Sequence, residues 1–256
     1  MSSVRLSGID TYYTVEGDGP PLVMLHGGMA DGTSWGPHSA LLADRFRVYV
    51  PDRRGHGRTP DSDAPFSYDS MAAETIAFCE SVVGAPAHLV GWSDGGVTAL
   101  VTGLARPDLV NRQVLIGANF HHSGVHVEEL GLGDGPDDPE VEFLRDIFVQ
   151  NAPDGAVRWP TYWAKIGELW RTEPTLTTVD LAQVSMPTLV VVGDDEPIPL
   201  HHTAEMYESI PGAQLGIVPG TSHVMPLEQP ETLHAMIHRF LTMDLPPETL
   251  APIRRR

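Results

Sequence analysis

The sequence predicts an α/β fold: one mostly parallel, doubly wound sheet carrying a helical insertion. Three observations predict it. Short strand-like runs alternate with helical patterns of 10 to 15 residues, the rhythm of consecutive β-α-β units. Two of those runs, "RQVLIGAN" and "TLVVVGD", have apolar centres rich in β-branched residues, as expected of strands covered on both faces. One long segment, residues 120–185, contains no such run and interrupts the rhythm.

In chain order, "VRLSGIDTYYTVEG" reads as a first strand, "DGPP" as a turn and "LVMLHGG" as a second strand. "RFRVYVPD" alternates apolar residues at Phe46, Val48 and Val50 before a turn at Pro51. "SMAAETIAFCESV", with Val83 directly after it, places Met71, Ile76, Cys79 and Val83 at helical spacing, with acids near its start. "AHLVGW" is a strand and "GGVTALVTGLARP" a helix that ends at Arg-Pro. "RQVLIGAN", "TLVVVGD" and "AQLGIVPG" supply the later strands, and "PETLHAMIHRFLTM" is a closing amphipathic helix. Residues 1–119 and 186–256 thus form the core. Residues 120–185 hold an acidic, Gly/Pro-rich passage, "ELGLGDGPDDPEVEF", and two helical patches, "VEFLRDIFVQNA" and "WPTYWAKIGELW". A plain surface insertion rarely needs three tryptophans, so Trp159, Trp163 and Trp170 favour a helical cap (a lid) over a site.

Composition narrows the classes of function. At 256 residues the chain fits one large domain, and 41% hydrophobic residues suffice for its core. No run approaches the ~18 apolar residues of a membrane span, and "MSSVRLSGID" lacks a signal-peptide h-region. The single cysteine, Cys79, excludes an internal disulfide and suits a reducing cytosol, so a cytoplasmic location is expected. A formal charge of −18 opposes a phosphate backbone and argues against nucleic-acid binding; the closing "RRR" reads as a solvated end.

The chemistry centres on "HLVGWSDGGVTAL". Gly-x-Ser-x-Gly is informative where it leaves a strand and opens a helix, and both flanks are present here. The tight turn pushes the Ser93 hydroxyl out at the carboxyl edge of the sheet. A serine needs a base to take its proton. Of twelve histidines, His223 alone occupies the loop after the last strand and before the last helix, in "VPGTSHVMPLEQPE". The chain order Ser, acid, His suits this fold. The acid should follow "TLVVVG", where Asp194, Asp195 and Glu196 are consecutive. The usual register selects Glu196, three residues after the glycine, with Asp195 as fallback and Asp194 third. An oxyanion needs amide donors. "LHGGM" offers the N–H of Gly28, with Met29 as the neighbour to consider, and the N–H of Asp94 follows the nucleophile.

"LHGG", "DRRGHGRT", "GWSDGG", "VVVGDDEP" and "GTSHVMPLEQPE" occur in the order and spacing of the α/β-hydrolase superfamily, which the chain resembles outside residues 120–185. "GWSDGGVTAL" followed by "VLIGAN" resembles the biphenyl-hydrolase-like (valacyclovir hydrolase) branch. The resemblance implies a fold with Ser93 as nucleophile, His223 as base and the Asp94 side chain as anchor for the α-amino group of an ester substrate. The family acid is an Asp where this chain has Glu196. A helix-terminal Asp94 can alternatively serve only the helix dipole, worth ~0.3–1 kcal/mol. Asp52, Arg53 and Gly55 of "DRRGHGRT" read as turn-shaping. His121, His122, His126, His201 and His202 match no metal-ligand spacing, so no metal is expected. The expectation is a cofactor-independent hydrolase of a small-molecule ester. A cofactor-free haloperoxidase or perhydrolase, a lactone or carbon–carbon bond hydrolase, and a non-catalytic binding protein are the alternatives.

Overall fold

The computed structural model describes residues 2–126, 135–152 and 154–251. The closing arginines and the part of the acidic passage up to residue 134 lie outside the described residues. Eight strands form one sheet: β1 (Ser2–Leu6), β2 (Ile9–Glu16), β3 (Pro21–Leu25), β4 (Arg47–Pro51), β5 (Ala87–Trp92), β6 (Val110–Ile116), β7 (Thr188–Gly193) and β8 (Gln214–Val218). Their order is β1-β2-β4-β3-β5-β6-β7-β8. β2 runs antiparallel to both β1 and β4, and every other pairing is parallel.

The run expected to be one initial strand is a hairpin. Ser7 and Gly8 both take positive φ, 50° and 86°, which is the backbone twist a two-residue hairpin turn requires. The Ser-Gly pair inside an otherwise continuous β pattern carried that signal. β7 is buried at every position and β6 from Gln113 onward, with Asn111 exposed and Arg112 partly so, close to what their apolar centres predict for central parallel strands. β5 is buried throughout as well, His88 included.

Side chains alternate across the sheet and feed two cores. Val23, Leu25, Leu89 and Leu115 face one layer, together with Met71 and Phe78 of α2 (Tyr68–Phe78) and Val97 and Leu100 of α3 (Asp94–Ala105). Leu22, Met24, Val90 and Val114 face the other, against Leu42 of α1 (His38–Ala43) and Leu233, Ile237 and Phe240 of α9 (Pro230–Thr242). This period-2 division is what a doubly covered sheet imposes.

Between β6 and β7 lie α4 (Glu142–Asn151), α5 (Gly155–Thr172) and the single turn α6 (Thr178–Leu181). Among the described residues of this segment the only β pairing is one bridge, His121 with Thr175. Phe148 of α4 packs its ring, tilted, against Trp159 and Tyr162 of α5, and all three are buried in the first core. The remaining helices, α7 (Leu200–Ser209) and α8 (Met225–Glu228), follow β7 and β8.

Candidate active site

Ser93 stands between β5 and α3 with φ 55° and ψ −121°, a conformation that strains any residue with a Cβ. The turn is possible because its neighbours have no side chains. A Cβ on Gly91 would collide with the Gly95 carbonyl, and one on Gly95 with the carbonyls of Leu25 and His26. The Ser93 N–H donates to the Ile116 carbonyl at 2.8 Å, and the Ser93 carbonyl accepts from Gly96 and Val97. The hydroxyl is thereby held at the carboxyl edge of the sheet.

His223 reaches that hydroxyl from the β8–α8 loop. Its Nε2 lies 2.9 Å from Ser93 Oγ and its Nδ1 lies 2.7 Å from Glu196 Oε2. The loop is anchored on both sides: Trp92 Nε1 donates to the His223 carbonyl, and Glu228 accepts from the Ser222 amide and hydroxyl. Gly117, at φ 53°, forms the floor, and a Cβ there would press on the His223 ring at 3.2 Å. The three consecutive acids divide their tasks. Asp194 Oδ1 accepts from the amides of Gly220 and Thr221, Asp195 is exposed, and the side chain of Glu196, only 1% exposed, meets His223. Gly193 N–H donates to the other Glu196 oxygen at 3.3 Å.

Gly28 and Asp94 border the same cavity as Ser93, and neither backbone N–H bonds to another described residue. Met29 differs. Its φ is 53° and its N–H donates to Tyr162 Oη at 2.6 Å. Tyr162 in turn donates to His56 Nε2, since His56 Nδ1 bonds the Arg54 carbonyl. Met29 therefore spends its amide on a buried link to α5, which leaves Gly28 and Asp94 as the two unengaged amides.

The Asp94 carboxylate is 3% exposed. Oδ1 accepts from Tyr68 Oη at 2.8 Å and from Trp170 Nε1 at 2.9 Å. Oδ2 has no partner among the described residues, a costly state for a buried carboxylate oxygen. Burial and the adjacent Asp94 charge push the Tyr68 phenol well above its ordinary range, so it remains a donor. Gly28 must lack a side chain, because a Cβ there would sit 2.5 Å from Asp94 Oδ2 and 2.8 Å from Trp170.

"DRRGHGRT" braces this edge from behind. Asp52 accepts from the amides of Gly32 and Arg58, and buried Arg53 donates to the Gly27 carbonyl. Burial and the Arg53 charge hold His26 and His56 well below the usual histidine range, so both stay neutral and serve as acceptors for Arg53 N–H and Tyr162. Among the described residues no group of three His, Cys, Asp or Glu is arranged to hold a metal, and no helix is long and apolar enough to cross a membrane.

Ser93, His223, Glu196, Gly28, Met29, Asp94 and Trp170 meet at one cavity of about 570 Å³. Phe143, Leu144 and Ile147 of α4 line it together with Val224 and Leu227. Tyr68, Asn119 and Glu173 also line it and were not singled out from sequence. Tyr68 heads a helix that the sequence pattern does predict, and nothing local marks the other two. Asp94, Glu173, Asp195 and Glu196 are the acids among the described lining residues, which include no Lys or Arg.

The chain is similar to known proteins. Serine hydrolase BPHL of Homo sapiens is 26% identical over 260 residues, covering 94% of this chain and 86% of that protein. A hydrolase of 2-hydroxy-6-oxo-6-(2'-aminophenyl)hexa-2,4-dienoic acid from Metapseudomonas resinovorans is 26% identical over 264 residues, covering 93% and 90%. The crystal structure of the enol-lactonase from Burkholderia xenovorans LB400 superposes with a TM-score of 0.76 at 19% identity, covering 94% of this chain and 100% of that one. The sequence model of the Alpha/beta hydrolase family matches residues 22–236. With most of its length inside that match, the chain belongs to the α/β-hydrolase family.

Proposed function

We propose that this hydrolase cleaves a small carboxylic ester, in particular an ester of an α-amino acid, through an acyl-enzyme on Ser93. The observation that carries the reading is the unbroken chain from Ser93 Oγ to His223 Nε2 at 2.9 Å and from His223 Nδ1 to Glu196 at 2.7 Å. His223 takes the proton as Ser93 Oγ bonds to the ester carbonyl carbon. Glu196 holds the ring and balances the imidazolium charge. The carbonyl oxygen becomes an oxyanion between the N–H groups of Gly28 and Asp94. Collapse expels the alcohol, which takes the proton from His223. A water molecule, deprotonated in turn by His223, then releases the acid and restores the serine. Asp195 remains the fallback for the acid.

The amine preference rests on the Asp94 carboxylate. Tyr68 and Trp170 both bind Oδ1, while buried Oδ2 has no partner among the described residues, so the carboxylate charge is only half compensated and a substrate ammonium in the adjoining cavity would balance it. A carboxylate serving only the α3 dipole needs no such pair of side-chain donors. The relative from Metapseudomonas resinovorans is named for a dienoic acid. Such an anion would meet an acidic lining with no Lys or Arg among its described residues, so carbon–carbon hydrolysis of that class is disfavoured. Residues 120–185 form the cap in this reading, because α4 and α5 contribute the outer apolar wall and Trp170.

A fluorophosphonate probe should label Ser93 in the folded protein, and Ser93→Ala should abolish both labelling and ester hydrolysis. For selectivity, α-amino esters are compared with their des-amino analogues in wild type and Asp94→Asn. The amine reading expects the substitution to lower kcat/KM by about 10²-fold for the amino esters alone; an equal loss on both series would defeat it.

A further inference from the structure

Arg53 is buried behind the oxyanion turn, and the ester reaction as written gives its charge no part. Nearby arginines are paired: Arg54 with Asp61 and Glu74, and Arg58 with Asp52. Arg53 forms no ion pair among the described residues. Its Nη1 donates to Met71 Sδ at 3.2 Å, its Nη2 donates to the Gly27 carbonyl at 2.9 Å, and its Nε has no partner among the described residues. Glu74 feels the Arg53 charge but is bonded to Arg54. A buried cation without a carboxylate is costly, and an apolar side chain of similar length would fill the space beside Met71 at less cost.

The carbonyl that Arg53 touches belongs to the peptide whose other end is the proposed oxyanion donor. The Gly27 C=O and the Gly28 N–H are two ends of one trans peptide, so they point in opposite directions. His26 Nδ1 also donates to the Gly27 carbonyl, at 2.7 Å, while its Nε2 accepts the Arg53 N–H at 3.0 Å. That second bond keeps the imidazole proton on Nδ1. The carbonyl is therefore anchored by His26 without help from the guanidinium. What Arg53 adds is a full positive charge on an oxygen that is already bonded. A cation there draws electrons from the peptide and makes its N–H a stronger donor, because linked hydrogen bonds polarise one another. Burial leaves that charge weakly screened.

We propose that Arg53 is a positioning residue that acts through the Gly27–Gly28 peptide, its charge strengthening the Gly28 N–H as a donor to the oxyanion. The assignment rests on the reading of Gly28 as an oxyanion donor. It gives the second position of "DRRGHGRT" an electrostatic task besides shaping the turn.

Phenethyl trifluoromethyl ketone is the probe. Ser93 Oγ adds to its carbonyl carbon, and the carbonyl oxygen becomes a hemiketal hydroxyl that ionises in the oxyanion position. Fluorine NMR of the adduct follows that ionisation against pH. In wild type the hemiketal pKa should lie well below that of the free ketone hydrate. Arg53→Met removes the charge while His26 still holds the carbonyl, and should raise the hemiketal pKa by about one pH unit, a tenfold loss of oxyanion stabilisation. With p-nitrophenyl acetate its kcat should fall about tenfold and its KM move less than twofold. Arg53→Gln is a second neutral variant, which serves if the first does not fold. Arg53→Lys restores a charge and should recover at least half of the pKa difference. A low wild-type value that neither neutral variant raises overturns the assignment and leaves Gly28 as donor. Equal pKa values in Arg53→Lys and the neutral variants also overturn it, since geometry rather than charge would then be the cause. If the wild-type adduct ionises no more readily than the free hydrate, the oxyanion reading of Gly28 falls as well.

Discussion

The hydroxyl of Tyr162 accepts the amide proton of Met29 at 2.6 Å, joining α5 to the turn that carries Gly28. Met29 is buried and at φ 53°, and its neighbour Gly28 has an unengaged amide facing the cavity. Tyr162→Phe would strand the Met29 N–H and remove the donor to His56 Nε2. The expected cost is about 1–3 kcal/mol of stability. In the proposed mechanism Tyr162 positions the turn that carries the oxyanion donor Gly28, so its loss should also affect kcat more than KM, with kcat falling about tenfold. Urea unfolding and steady-state kinetics on one preparation check both effects. A loss of stability with kcat unchanged would make Tyr162 purely structural.

Glu196 reaches His223 from a side chain one methylene longer than aspartate, over 2.7 Å. Glu196→Asp should open that contact and lower kcat/KM by about tenfold. Glu196→Gln preserves the shape but removes the charge that balances the imidazolium, and the expected loss is on the order of 10³-fold or more. Asp195→Asn should change little, because the exposed Asp195 bonds the loop through its backbone N–H to Thr221. The order of the three variants decides between Glu196 and its fallback; a larger loss in Asp195→Asn would reassign the acid.

Much of this was legible in sequence because its signals are local. β5 coincides with "AHLVGW" to the residue and β7 ends one residue short of "TLVVVGD", since strands buried on both faces leave few polar positions to blur their ends. Gly91 and Gly95 reveal the elbow because only glycine avoids the neighbouring carbonyls. What remained hidden depends on residues distant in the chain. Tyr68 meets Asp94 across 26 positions, Trp170 meets it across 76, and Met29 meets Tyr162 across 133. No periodicity encodes those encounters. The Met29 amide was a reasonable oxyanion donor until the fold placed a phenol against it. The three tryptophans also separate in role: Trp159 is fully packed in the core, and Trp170 is the one that bonds into the site.

Ser93 keeps its strained backbone whether or not it has a hydroxyl, at φ 55°. Replacing alanine by glycine usually destabilises a folded position through the entropy of the unfolded chain. At this position the sign should reverse. Ser93→Gly should be about 1 kcal/mol more stable than Ser93→Ala, because both lose the bond to His223 and only glycine relieves the strain. Denaturant midpoints of the two inactive variants give the comparison, and equal midpoints would mean the elbow stores no strain.

His202 stacks flat on Phe120, with ring centroids 4.1 Å apart, and its Nε2 accepts the Phe120 N–H at 3.2 Å. That bond requires a neutral ring. Burial first, then the charges of His201 and His121, push the His202 pKa down to about 4, and burial with Arg112 does the same to His88. Both values fall below that of the unfolded chain, about 6.5. Between pH 6.5 and 4 the unfolded state therefore binds more protons, and stability declines as the pH falls. The contribution is complete above pH 6.5 and is progressively lost toward pH 4. Buried His26 and His56 act in the same direction. The melting temperature should fall steadily between pH 6.5 and 5, where few carboxylates titrate. His202→Gln, whose amide oxygen can still accept the Phe120 N–H, should start lower at pH 7 and decline less steeply. Parallel Tm curves for the two proteins would show that His202 is not one of the groups taking up the proton.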